Sequence, residues 1–136
     1  MRFGVIALTF GAFVMSAPTN AQETQASTQE DYVAALTCAS KSMLLSNLFA
    51  ENKDPARAEV SDWHKEQFKS VYMTVFVKAV EIGKSLGKSQ AQVGTEFGNL
   101  LFDKTEEFKA ARQKRTPGYI QGMFAEVDAC RERFGA

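Results

Sequence analysis

Histidine is almost missing from this chain: 136 residues hold one, His64, beside two cysteines, one tryptophan and three prolines. That scarcity removes most catalytic arrangements at once. A zinc pair spaced i, i+4 on a helix needs two histidines. The one His–carboxylate candidate, Asp62-Trp63-His64-Lys65-Glu66, sets each carboxylate two positions from the ring, on a different helical face. No Cys-x-x-Cys-His haem attachment run is present, no Gly-x-Ser-x-Gly elbow and no phosphate-cradling glycine loop after a strand. His64 with Met43, Met73 or Met123 is the remaining way to ligate a haem iron, and methionines at core spacing normally serve the core. No cofactor and no metal are expected, and the chain reads as non-catalytic.

Charge excess is missing as well. Sixteen basic and sixteen acidic side chains cancel, so nothing favours nucleic acid, whose binding rests largely on neutralised phosphates. A polybasic membrane surface is equally absent. No Asn-x-Ser/Thr acceptor occurs.

What is present begins with a leader. Arg2 precedes an uncharged, mostly apolar stretch, Phe3 to Met15, and Ser16-Ala17-Pro18-Thr19-Asn20-Ala21 supplies a helix breaker and small residues at −3 and −1. These are the parts of a secretory signal peptide, with cleavage near Ala21. The apolar stretch is short for a span and interrupted by Gly4, Thr9 and Gly11. Cleavage leaves 115 residues with a net charge of −1, enough for one domain with its own core. No membrane span is expected in that mature chain. Residues 22–27 are polar and without apolar period, which predicts a disordered tail; residues 28–136 form a single helical domain. In an oxidising compartment, periplasmic or extracellular, two cysteines are most simply one disulfide, Cys38 to Cys130.

Punctuation divides the domain into four helices. The first opens at Ser27 or Thr28, with Ser27 and Glu30 spaced as a capping box, and runs to about Ala50. Tyr32, Ala35, Leu36, Cys38, Ala39, Met43, Leu45 and Phe49 share its apolar sector. Thr37, Ser40 and Lys41 lie opposite, and Leu44 and Leu48 fall beside Lys41, as a second helix contact or a partner surface. The second opens at Asp54-Pro55 and carries Val60, Trp63, Val71, Val75, Ala79, Ile82 and Leu86 at helical spacing. Its centre, Val71 to Val77, is rich in β-branched and aromatic residues and read alone could be a buried strand; with helical flanks and no strand to pair with, it reads as a central, extensively buried helix. Gly87 stops it.

Ser89 and Gln92 have capping-box spacing and open the third helix, whose stripe is Val93, Phe97, Leu100, Leu101, Phe108 and Ala111, with Phe102 pointing away. Its basic end, Lys109 to Arg115, suits a helix C-terminus. Thr116-Pro117 predicts the start of the fourth, with Ile120, Met123, Phe124, Val127, Cys130 and Phe134 inward and Gly135 as the stop. Both cysteines thus face inward on the first and last helices. A bridge between them requires those helices to be neighbours, as in an antiparallel four-helix bundle.

Glycines inside helices cost about 1 kcal/mol each relative to alanine, so Gly94, Gly98 and Gly122 predict the close approach of a neighbour. Together with Tyr72 and Phe76, Gly94 and Gly98 outline a possible ligand groove between the second and third helices.

The expected function is therefore binding of another exported protein, in an inhibitor, immunity or chaperone-like role. The surface would be built on Leu44, Leu48, Trp63 and His64. The alternative is a small-molecule or lipid-binding bundle using the groove at Tyr72, Phe76, Gly94 and Gly98. Where the apolar excess lies discriminates between them: a surface patch favours the first, an internal cavity the second.

Overall fold

The structure, a computed structural model, describes residues 29–51, 54 and 58–136. The leader, the polar tail, the Ser27 cap and Pro55 lie outside the described residues. Among the described residues, four helices follow one another: α1 Gln29–Ala50, α2 Ala58–Ser85, α3 Gln90–Lys114 and α4 Tyr119–Phe134.

Side-chain pairs set their directions. Asp31 meets Arg133, Cys38 is bonded to Cys130 and Lys41 meets Glu126, so α1 and α4 run antiparallel side by side. Phe49 at the end of α1 lies against His64 and Phe68 near the start of α2. Phe76 meets Phe97 with ring centroids 5.1 Å apart, which joins α2 to α3. Tyr32 with Glu96, and Glu51 with Arg112, show α1 and α3 running the same way. The result is the up-down-up-down bundle expected, closed by the Cys38–Cys130 disulfide between first and last helices.

The central helix is α1, not α2. Ten of its side chains are buried: Tyr32, Ala35, Leu36, Cys38, Ala39, Ser40, Ser42, Leu44, Leu45 and Ser46. α2 buries one stripe through Phe68, Val71, Val75, Ala79 and Gly83, and leaves Val60, Trp63, Met73 and Val77 in solvent. Small hydroxyls explain how α1 can be covered on several sides. Ser40 donates to the Thr37 carbonyl and Ser42 to the Cys38 carbonyl, both at 2.8 Å, within α1 itself. Each hydroxyl is thereby satisfied without water. Ser46 donates across to the Lys65 carbonyl of α2 at 3.0 Å, where the two helices come close. By length and composition alone, α1 holds an 18-residue window (mean hydropathy 1.3) apolar enough to cross a membrane. Burial among α2, α3 and α4 accounts for that apolarity in this fold.

Helix ends follow local chemistry. Gly87 takes φ +81°, and the Lys88 N–H bonds the Gly83 carbonyl while the Gly87 N–H bonds that of Lys84, a Schellman closure. The Ser89 hydroxyl then accepts from the Gln92 N–H, and the Gln92 side chain accepts from the Ser89 N–H at 2.7 Å. Thr116-Pro117 does not start α4. Arg115 adopts the left-handed conformation and the Thr116 N–H bonds back to the Ala111 carbonyl, so Thr116 closes α3 instead. Gly118, at φ +73°, turns the chain, and α4 begins at Tyr119 without a side-chain cap.

Candidate functional site: an aromatic end and an apolar cleft

The end of the bundle where α1 passes into α2 carries a chain of rings. The His64 imidazole stacks on Phe49 at 4.7 Å with a 20° tilt, and Phe49 stacks in turn on Phe68 at 5.8 Å. Phe124 of α4 closes the group from below, edge-on to Phe49 and 5.4 Å from Phe68. Trp63 meets the His64 ring edge-on at 4.8 Å and leaves 60% of its surface in water. Phe68 is buried and Phe49 half-buried, so the indole stands outermost on a supported aromatic column. Among the described residues, the ring that the indole meets is that of His64.

The surroundings of His64 give it no acid–base partner on its own helix: Asp62 and Glu66 both turn to Lys65, at 3.5 and 4.0 Å. Other carboxylates are also matched to cations. Glu106 meets Lys109 at 3.3 Å, Glu107 meets Lys104 at 3.2 Å and Glu126 pairs with Lys41. Among the described residues, no three His, Cys, Asp or Glu side chains converge as a metal site.

Leu44 and Leu48 turn towards α3. Leu44 is buried and Leu48 half-buried. With Leu101 and Phe108 they line an open cleft of about 230 Å³, rimmed by Glu51, Lys109 and Arg112. The covered sector of α1 is wider than its apolar period predicts: Ser40 and Leu44, one turn apart, belong to the covered surface.

The glycines stand differently from expectation. A Cβ on Gly94, Gly98 or Gly122 would meet open space, and all three positions are exposed. The neighbouring rings do not leave a gap either. Tyr72, Phe76 and Phe97 pack on one another with centroids 5.1 to 5.9 Å apart, joining α2 to α3 directly. The glycine against which a neighbour does press is Gly83, where Val93 and Tyr32 crowd the backbone.

One polar constellation was not anticipated. Tyr32 donates to Glu96, whose other oxygen lies 2.8 Å from Lys88, and the Lys88 ammonium sits 5.2 Å from the Tyr32 ring centre. The Lys88 hydrogen bond, followed by that from Tyr32, holds the Glu96 carboxyl below the usual carboxylate range. Burial, reinforced by the Glu96 hydrogen bond and charge, holds the Tyr32 hydroxyl well above its ordinary value. These groups lie in three separate stretches of sequence, so spacing could not reveal them. Their effect is to tie the start of α1 to the α2–α3 turn.

Compared with protein-family models, with curated proteins and with solved structures, the chain matches none. Its fold and surface define the class: a disulfide-closed four-helix bundle with an exposed aromatic end and an open apolar cleft.

Proposed function

We propose that this is an exported protein, cleaved near Ala21, that acts without catalysis by binding another exported protein. The binding surface is the Trp63–His64 end, and Leu48 in the α1–α3 cleft extends it. The observation that carries this reading is the exposed indole of Trp63, held edge-on against a stacked His64–Phe49–Phe68 column. Tryptophan is among the residues enriched at the energetic hot spots of protein interfaces, because it offers large apolar area with little rotamer entropy to lose. The rival small-molecule reading loses its groove to the packed rings of Tyr72, Phe76 and Phe97. The apolar excess then lies on the surface, at Trp63 among others. Export is supported by the leader of residues 1–21 and by a disulfide, which persists in oxidising compartments.

Trp63 is the chain's one tryptophan, so its fluorescence reports directly on the surface. The test is affinity capture from periplasmic extract, followed by fluorescence titration with the captured protein. The expected result is a blue shift on binding, and loss of capture with Trp63→Ala at unchanged thermal stability. A partner held equally well by Trp63→Ala and Leu48→Ala contradicts the assignment.

A further inference from the structure

The outward face of α2 carries apolar side chains that the bundle does not use. Met73 and Val77 are 56% and 57% exposed, and Val80 is half-buried. At about 100° per residue, Glu66, Met73, Val77 and Lys84 fall close to one line along the helix, with Ser70 and Val80 flanking it. The positions 66, 70, 73, 77, 80 and 84 alternate in steps of four and three, which is the spacing of a helix–helix seam.

The seam is also complementary to itself. Positions equally far on either side of Val75 pair Met73 with Val77, Ser70 with Val80, and Glu66 with Lys84. We propose that α2 is a self-association face: two copies of the chain pack α2 against α2, antiparallel, about a two-fold axis at the level of Val75.

Under that operation Met73 of one copy meets Val77 of the other, and Glu66 meets Lys84, each contact made twice. A two-fold interface uses the same patch on both copies and closes on itself, as this seam does. The charges also choose the direction. Parallel packing would set Glu66 against Glu66 and Lys84 against Lys84, whereas the antiparallel arrangement pairs opposite signs at both ends. Serine at position 70 and valine at 80 are small enough for the helices to approach. A single-helix seam of this length belongs to the low end of interface sizes, so the dimer is weak and concentration-dependent. Its apolar centre, Met73 and Val77, begins almost three turns along α2 from Trp63, and the inference does not rest on the function proposed above.

Sedimentation equilibrium of the disulfide-bonded protein, from about 1 µM to about 1 mM, tests it. The expected result is a monomer–dimer equilibrium within that range. Val77→Glu weakens it at least about tenfold without changing helix content, because a charge then faces the apolar centre twice. Glu66→Lys and Lys84→Glu each weaken it about tenfold, and the double variant E66K/K84E restores it. A protein monomeric throughout overturns the proposal and leaves the face to a different protein. A dimer indifferent to Val77→Glu, or not restored by the double reversal, overturns it as well.

Discussion

A Cβ placed on Gly83 would lie 2.7 Å from the Cγ2 atom of Val93 and 3.3 Å from the Tyr32 ring. This is where the end of α2 is pressed onto α1 and α3, and Val93 is fully buried there. A buried β-branched side chain has little rotamer freedom with which to give way. Gly83→Ala is expected to destabilise by about 1–2 kcal/mol, overpacking outweighing the gain in helix propensity. Gly94→Ala and Gly98→Ala, whose added methyls meet open space, are expected to stabilise by about 0.5–1 kcal/mol each. Denaturant unfolding of the three variants checks the contrast in sign.

The covalent bridge closes a loop of 92 residues between α1 and α4, with Cα atoms 5.9 Å apart. Reduction, or Cys38→Ser with Cys130→Ser, is expected to cost about 2–5 kcal/mol, chiefly by freeing the unfolded chain. Thermal unfolding with and without reductant measures it. An unchanged midpoint would show that the bridge adds no stability.

Glu96 and Tyr32 make stability depend on pH at both extremes. Glu96 has a folded pKa below its unfolded one, because Lys88 and Tyr32 favour the carboxylate. Its contribution is present above the unfolded value, about pH 4.3, and is lost as pH falls through the folded one. Tyr32 has a folded pKa above its unfolded one, through burial and Glu96. Its contribution is complete below about pH 10 and is lost as pH rises beyond it. Glu96→Gln should flatten the acid limb of a stability–pH curve, and Tyr32→Phe the alkaline limb.

Ser42 is fully buried in α1 and bonded to its own helix. Its small size is what lets α1 be covered so completely. Ser42→Leu is expected to destabilise by about 1–3 kcal/mol through overpacking, while Ser42→Ala should change stability little because no partner is left unsatisfied except a helical carbonyl. Equal effects of the two substitutions would contradict the central position of α1.

These serines also show where sequence reading stopped. The topology was legible, since Cys38 and Cys130 lie on apolar stripes whose period is the helix's own, and one bridge makes the first and last helices neighbours. The Ser89–Gln92 box and the Gly87 stop were legible because capping is a local matter. The choice of central helix was not. Ser40 reads as polar and therefore outward, yet its hydroxyl is satisfied by the Thr37 carbonyl and needs no water. The β-branched run of α2 reads as core, yet Met73 and Val77 face solvent. Of the candidate surface, helical spacing puts Trp63 and Val60 on one stripe with Val71 and Val75, yet both are exposed, because near the start of α2 the covered side is that of Phe68. The stacking of His64 on Phe49 was not legible either, because it depends on how α1 and α2 meet.

The most direct test is the intact mass of the protein recovered from an oxidising compartment under native, non-reducing conditions. The expected mass is that of a chain beginning at Gln22 and lighter by two hydrogens than its reduced form. A chain beginning at Met1, or one with Cys38 and Cys130 as free thiols, would contradict it.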